Sequence, residues 1–205
     1  NKIEHKSHNI SSVNRISPEA PVPVFEPTNS IYMLGGAGNS ALNFSTLGAN
    51  VEIISIVGTD ENSEKINKLL KKFNIKNSLI EDEFPTTHKK RFVAATNHLL
   101  RKDFEKIRKI EDSPIENKIL EKINLINNFD AIVISDYAKG VITKNIVNSL
   151  KEKNIPIYVD SKPEKYFLFE NVYLLKPNLR QAMMALGIQR EDLGIEEIAK
   201  RISKE

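Results

Sequence analysis

Acidic and basic side chains follow two predicted strands at their carboxyl ends. Asp136 and Lys139 come directly after the apolar run "AIVIS", and Asp160 and Lys162 follow the next strand, in "VDSK". Open α/β sheets bind ligands at the carboxyl ends of their strands, so these groups could contact a phosphorylated ligand. Two alternatives remain open. Asp136 could cap a helix instead, and the second pair could form only a local turn.

A glycine cluster precedes a helical pattern in "LGGAGNSALNFSTLGA". Residues 36–41 satisfy G-x-G-x-x-A, a weak dinucleotide signal, and no G-K-S or G-K-T follows, which excludes a Walker phosphate loop. Two other interpretations remain. The glycines could make only a tight turn, or Gly35 and Gly36 could let a ligand reach backbone amides while Asn39 binds its hydroxyl groups.

Strand and helix patterns alternate over most of the chain and predict an α/β fold with a parallel sheet covered on both faces. The predicted elements are a helix at 40–47, a strand at 51–57, a helix at 62–73, a strand at 131–135, a helix at 144–153, strands at 155–159 and 172–175, and a helix at 179–186.

Two stretches interrupt this alternation. "RISPEAPVPVFEP" has too many prolines for a helix or an inner strand, so it predicts an edge strand or an extended arm. "HKKRFVAATNHLLRKDFE" predicts a hairpin with Thr96, Asn97 and His98 near its turn. Together they would form a small separate sheet.

Composition narrows the functional classes. The 205 residues have a net charge of +3 and no cysteine, which excludes disulfides and thiolate metal sites. Lysines are scattered rather than gathered with aromatic residues, so we expect no nucleic-acid partner, and no apolar run could cross a membrane. We expect a cytoplasmic protein. Its histidines lack ligand-like spacing beyond a terminal pair, so no metal site is predicted among His5, His8, His88 and His98.

A series of motifs, from about Arg15 to the end, resembles the ribokinase/PfkB carbohydrate kinases. The motifs are "RISPEAPVPV", the Gly-Gly-Ala-x-Asn helix, "LGANVEIISIVGTD", "ISDYAKG", "VDSK" and "KPNL". The resemblance implies a ribokinase-like three-layer sandwich with a mostly parallel sheet and a small β lid over the sugar. Residues 1–205 would be one partial domain, with lid segments at about 14–34 and 86–105 and a core at 35–83 and 115–205.

The resemblance also implies the site residues. The sugar phosphate would contact Arg15, Glu19, Gly35, Gly36, Asn39, Arg91, Arg101, Asp103, Asp136, Lys139, Asp160 and Lys162. ATP and Mg²⁺ would lie near Asn178, Leu179, Arg180 and Gln181. Without the family, Arg101 and Asp103 would suggest an exposed cross-strand charge pattern. The family has Glu where this chain has Gln181, and an uncharged amide attracts Mg²⁺ less well.

The implied activity is phosphorylation of the anomeric hydroxyl of heptose 7-phosphate by ATP, in the biosynthesis of ADP-heptose for lipopolysaccharide cores. The resemblance also implies a homodimer through the lid. Two family motifs are missing: an initial strand with a Gly-Asp turn, and Gly-Ala-Gly-Asp with its catalytic base. "GAGN" ends in Asn39, which cannot accept a proton. We therefore expect an internal piece of a sugar kinase, incomplete at both ends and inactive alone. The alternatives are another PfkB-type sugar kinase and a non-catalytic sugar-binding or regulatory relative.

Overall fold

The computed structural model describes residues 3–11, 15–94, 97–189 and 193–203, which form two compact units. The N-terminal unit ends at Lys106 and the C-terminal unit begins at Ile107. The first contains β1 (Ile3–Ser11), β2 (Asn29–Gly36), α1 (Ala37–Thr46), β3 (Glu52–Gly58), α2 (Glu61–Lys72), β4 (Lys76–Asp82), β5 (His88–Ala94) and β6 (Asn97–Phe104). The second contains α3 (Pro114–Asn124), β7 (Ile132–Ser135), α4 (Lys144–Lys151), β8 (Ile157–Asp160), a 3-10 helix (Pro163–Leu168), β9 (Leu174–Leu175), α5 (Leu179–Leu186) and α6 (Ile195–Ile202).

The N-terminal unit contains two sheets. Four strands in the order β2-β1-β5-β6 form what we call the lid sheet, in which only β1 and β5 run parallel. A parallel pair, β3 and β4, packs with α1 and α2 around a core that includes Leu34, Ile53, Val57, Ile66 and Leu70. The last residues of β2 belong to this core, so one strand joins the lid sheet to the parallel layer.

Local chemistry explains the predicted elements of this unit. Asp60 caps α2 by accepting a hydrogen bond from the backbone N–H of Ser63, and acidic residues in the first turn and lysines in the last turn complement the helix dipole. Ile66 and Leu70, four residues apart, lie on one face and are fully buried. The predicted helices and strands between residues 40 and 73 are confirmed within a few residues.

The proline-rich segment and the hairpin do not share one small sheet, which corrects the prediction. The hairpin is confirmed as β5 and β6, although Thr96 lies outside the described residues. Of the two predicted forms of the proline-rich segment, an edge strand or an extended arm, the structure has the arm, because its prolines offer no N–H groups for a ladder. It is an arm closed by an isolated bridge between Ile16 and Pro23. β1, which the sequence did not predict, lies beside β5 instead.

The C-terminal unit has a parallel sheet in the order β7-β8-β9. Ser113 caps α3 and Thr143 caps α4, in each case through a side-chain oxygen that accepts a backbone N–H. The α/β class is confirmed, with short parallel strands: β9 has two residues where four were predicted. Within the described residues, no helix is long and apolar enough to cross a membrane.

Candidate functional site

Five of the eight predicted site residues of the C-terminal unit meet at the carboxyl ends of its three strands. A cavity of about 190 Å³ is lined there by Asp136, Tyr137, Asp160, Ser161, Lys162, Lys176, Asn178 and Gln181. These five are joined by Tyr137, Ser161 and Lys176, which were not predicted. Lys176 comes directly after β9, just as Asp160 lies at the end of β8. Its position at the end of a predicted strand could therefore have identified it as a site residue.

Asp136 holds the loop after β7 in place. Its Oδ1 accepts the backbone N–H of Ala138 at 2.9 Å, and its Oδ2 accepts the hydroxyl of Ser161 at 3.2 Å. Its own N–H donates to the carbonyl of Asp160 at 2.7 Å, which extends the β7–β8 pairing by one residue. The helix-capping alternative is wrong, because Thr143 caps α4. Asp136 therefore orders the turn and the neighbouring strand end from a buried position.

Asn178 and Gln181 begin α5 with a capping box. The Asn178 side chain accepts the N–H of Gln181, and the Gln181 side chain accepts the N–H of Asn178, both at 2.9 Å. The side-chain carbonyl oxygens of both residues therefore already accept a backbone hydrogen bond. Leu179 and Arg180, the other predicted nucleotide residues, do not line the cavity.

Lys139 is buried in the loop after β7 but does not line the cavity either. The next residue fixes this loop. Gly140 has a φ of +85°, and a Cβ placed there would lie 1.9 Å from the carbonyl oxygen of Arg108. Its own carbonyl accepts the N–H of Ile110. Only glycine permits this close approach of two backbone segments.

In the N-terminal unit, basic residues gather on one face of the lid sheet. Arg91 lies opposite Arg101 and Lys89 lies opposite Asp103 in the β5–β6 register, and residues two apart on a strand share a face. On β1, His8 lies opposite Arg91 and Lys6 lies opposite Lys89. The ring of His98 contacts the ring of His8 edge to face, so His98 lies on this face as well. We call this set the cationic face; it consists of Lys6, His8, Lys89, Arg91, His98, Arg101 and Asp103.

One carboxylate balances two of these cations. Asp103 receives a hydrogen bond from Lys89 at 3.2 Å and forms an ion pair with Arg101 at 3.0 Å. Burial raises the pKa of Asp103, but these two partners outweigh it and hold the pKa below its ordinary value. Arg91 differs, because its buried Nη1 has no hydrogen-bond partner in the structure. A buried guanidinium nitrogen without a partner is costly and suggests an anionic ligand.

The other predicted residues of this unit lie on three short segments. Gly35 and Gly36 end β2 and are buried, and Gly36 has a φ of +55° where the chain turns into α1. Asn39 lies exposed in the first turn of α1. On the arm, Arg15 forms an exposed ion pair with Glu26 at 3.2 Å, and Glu19 is exposed.

The opposite face of the lid sheet borders a larger cavity of about 470 Å³. Its lining is Ser30, Tyr32, Glu61, Asn62, Lys65, Pro85, Thr86, His88, Lys90 and Phe104. Burial first, and then Lys90 and Lys65, lower the pKa of His88, against a smaller opposing effect of Asp60. No residue predicted for the sugar lies here. Among the described parts of the chain, no cluster of three or more acidic, histidine or cysteine residues could hold a metal ion.

Comparison with known proteins gives consistent matches. Residues 9–205 match the model of the pfkB family carbohydrate kinases. The bifunctional protein HldE of Sulfurimonas denitrificans is 36% identical over 184 residues, which are 87% of this chain and 39% of that protein. The D-beta-D-heptose 7-phosphate kinase of Bordetella bronchiseptica is 34% identical over 193 residues, which are 93% of this chain and 61% of that protein.

Solved structures agree on the fold. Phosphofructokinase-2 of Escherichia coli in complex with fructose-6-phosphate has a TM-score of 0.76 at 19% identity, over 98% of this chain and 67% of that one. Its tetrameric inhibited form has a TM-score of 0.77 at 18% identity, over 99% and 67%. At such identities the likeness shows the fold alone, and the expected ribokinase-like class is confirmed. The chain spans 39% of the length of the HldE protein.

Proposed function

Because the chain belongs to the pfkB family of carbohydrate kinases, we propose that the whole protein transfers the γ-phosphate of ATP to the anomeric hydroxyl of a heptose 7-phosphate. The name of the D-beta-D-heptose 7-phosphate kinase of Bordetella bronchiseptica supports this sugar. The product would serve ADP-heptose biosynthesis, and an enzyme that consumes ATP and a sugar phosphate belongs in the cytoplasm.

We propose that the sugar phosphate binds at the cationic face. Lys6, Lys89, Arg91 and Arg101 supply four positive charges and Asp103 one negative charge, so the face keeps a clear excess of positive charge. Arginine binds phosphate through parallel N–H donors, and the unpartnered Nη1 of Arg91 offers one of them. Asp103 is held in place by Lys89 and Arg101, and its carboxylate oxygens can accept hydrogen bonds from sugar hydroxyls.

The cavity of the C-terminal unit fits the phosphate end of a nucleotide. Asp136, Asp160 and Lys162, which the family resemblance assigns to the sugar phosphate, line this cavity together with Lys176, Asn178 and Gln181. We therefore propose that they face the nucleotide phosphates instead, with Lys162 and Lys176 as the cations. When bound, Mg²⁺ would neutralise charge on the nucleotide phosphates, and the carboxylates of Asp136 and Asp160 are the oxygen donors that it prefers. Gln181 contributes an amide here, so the chain itself brings less negative charge to the metal than a Glu would.

We further propose that the 205-residue chain binds its substrates without transferring phosphate at a useful rate. It contains no Gly-Ala-Gly-Asp, and Asn39 in "GAGN" cannot act as a base. Phosphoryl transfer depends on holding the acceptor and donor with the base in line. The test is ATP consumption by the purified chain with heptose 7-phosphate and Mg²⁺. Turnover within tenfold of a full-length relative would contradict this proposal.

Binding experiments test the sugar site directly. By calorimetry we expect the chain to bind heptose 7-phosphate and to bind the unphosphorylated heptose much more weakly. Arg91→Gln should weaken binding of the phosphorylated sugar about tenfold or more, because it removes a charge-assisted contact worth about 1.5–3 kcal/mol. Lys90→Gln is the matched control: it removes one charge from the neighbouring residue of β5, on the opposite face. Equal losses for both variants would contradict the assignment.

One observation favours a second candidate, a non-catalytic sugar-binding relative. Gln181 is engaged in the capping box, as a Glu would be, without the charge expected near Mg²⁺. Such a protein would bind heptose 7-phosphate and show no Mg²⁺-dependent affinity for ATP. A kinase that acts on another sugar phosphate would instead keep the ATP affinity and prefer that sugar.

A homodimer through the lid also belongs to the proposal. All eight residues of β6 are exposed at the edge of the lid sheet, including Leu99, Leu100 and Phe104. An exposed edge strand with apolar side chains pairs readily with another chain. Light scattering should give a dimer mass for the chain and a monomer mass for Leu100→Glu. A monomeric unsubstituted chain would contradict it.

A further inference from the structure

Two histidines that are 90 positions apart in sequence meet on the cationic face. The rings of His8 on β1 and His98 on β6 have centroids 6.0 Å apart and meet edge to face. Their strands, β1 and β6, flank β5 on its two sides. In β5, Arg91 lies opposite His8, and Val93, two residues further along, lies opposite His98, so both histidines are on the same face of the sheet. The contact therefore depends on the topology of the lid sheet and on the bulge between Phe92 and Val93.

The surroundings of His8 are almost uniformly basic. Lys6 is on its own strand, Lys89 and Arg91 are on β5, and His98, Arg101 and Asp103 are on β6. Asp103, the carboxylate of this set, is paired with Lys89 and Arg101. Burial, followed by Arg91, His98 and Lys6, lowers the pKa of His8, so the ring is mostly neutral near pH 7.

We propose that His8 and His98, together with Arg91, form the subsite that binds the phosphate group of the sugar substrate. The inference rests on the proposed function and extends it to two residues for which the sequence predicted no role in binding the sugar. Imidazole N–H groups and a guanidinium nitrogen are donors, and phosphate oxygens are acceptors. The buried Nη1 of Arg91, which has no partner in the structure, would gain one.

Such a subsite couples ligand binding to proton uptake. A dianion placed among these groups favours the charged imidazole and opposes the effect of the neighbouring cations. The bound state therefore holds more protons than the free state near neutral pH. By linkage, affinity for a dianion increases as pH falls, because the complex holds the proton on His8 more firmly than the free protein does.

Sulfate is a suitable probe because it remains a dianion across this range, whereas phosphate itself titrates. We expect calorimetry on the whole chain to show that sulfate affinity rises roughly tenfold between pH 8 and pH 6. Titrations in two buffers of different ionisation enthalpy should show proton uptake. His98→Gln, at an exposed edge position, should weaken sulfate binding without affecting folding, and His8→Gln should flatten the pH dependence.

His88→Gln is the matched control, because His88 lies on β5 but lines the cavity on the opposite face. This variant should keep the pH dependence of the unsubstituted chain. The subsite is refuted if all three variants behave alike while heptose 7-phosphate still binds, and that result leaves the proposed function intact. Absence of both sulfate and heptose 7-phosphate binding by the unsubstituted, folded chain would overturn both.

Discussion

Asn178 and Gln181 satisfy each other's backbone N–H groups at the start of α5, with both hydrogen bonds at 2.9 Å. This reciprocal arrangement accounts for the presence of an uncharged amide at residue 181. Glutamine and glutamate serve equally in a capping box, because either side chain offers an oxygen to the cap N–H. With Gln181 in place of Glu, the chain therefore retains the capping box of α5 but lacks the negative charge of a carboxylate.

Gln181→Glu should therefore stabilise the chain. The capping box is retained, and the new carboxylate lies at the positive end of the helix dipole, an effect of about 0.3–1 kcal/mol. Thermal unfolding should shift up by about 1–4 °C for a chain of this size. Asn178→Ala, which removes the cap, should lower stability by about 0.5–2 kcal/mol. A Gln181→Glu chain less stable than the parent would show that the carboxylate is not accommodated there.

The same substitution tests the metal. If the missing charge weakens Mg²⁺ binding beside Asp136 and Asp160, Gln181→Glu should lower the Mg²⁺ concentration that half-saturates ATP binding. Binding of a fluorescent ATP analogue at increasing Mg²⁺ measures this directly. An unchanged Mg²⁺ requirement would mean that other groups hold the metal.

The sequence predicted α5 to the residue, because Asn178 and Gly187 mark its two ends by types that favour an N-cap and a left-handed C-cap. β1 could not be predicted. Its polar composition lacks an apolar period, and its two neighbours in the lid sheet stabilise it as a strand.

Much of the site followed similar rules. The spacing of Lys89 and Arg91, and of Arg101 and Asp103, puts each pair on one face of a hairpin strand, so their grouping was accessible from sequence. The contact of His8 with His98 was not, because it requires β1 to pair with β5 in one particular register. Lys176 was not predicted, because the resemblance assigns a role only to the residues that follow it in "KPNL".

Asp60 predicts how the stability of the N-terminal unit depends on pH. Burial raises its pKa, but hydrogen bonds from Thr86 and from the backbone N–H groups of Ser63 and Asn62 outweigh burial and lower it. A carboxyl whose folded pKa lies below its unfolded value contributes stability fully above about pH 4 and loses it as pH falls through the folded pKa. Asp60→Asn should flatten the decline in urea midpoint below pH 4. Glu64→Gln, exposed on the same helix, should leave that decline unchanged.

Glu116 should contribute strongly to the stability of the C-terminal unit. This buried carboxylate accepts hydrogen bonds from the backbone N–H of Asp112, the hydroxyl of Thr143 and the amide of Asn145. Glu116→Ala would leave these donors unsatisfied and open a cavity, so we expect a loss of about 3 kcal/mol or more in urea unfolding. Glu121→Gln, exposed on the same helix, should change stability by less than about 0.5 kcal/mol. Similar values for the two variants would show that the three donors find other partners.

Gly140 should tolerate no side chain, because a Cβ there would strain the backbone and would also clash with Arg108. A second glycine of the same unit, Gly187, allows the two effects to be measured separately. Gly140 and Gly187 both have left-handed backbones, at φ +85° and +64°, but a Cβ at Gly187 would meet nothing within 4 Å. Gly187→Ala therefore measures conformational strain alone, about 1 kcal/mol. Gly140→Ala adds the clash with the carbonyl of Arg108 and should cost at least twice as much in urea unfolding.

The two variants should also differ in binding. The loop held by Gly140 begins at Asp136 and Tyr137, which line the cavity, so displacing it should weaken Mg²⁺-ATP binding. Gly187 lies at the far end of α5 from Asn178 and Gln181, so its substitution should leave affinity unchanged. Equal stability and equal affinity for the two variants would show that the segment around Arg108 moves aside freely and does not fix the loop.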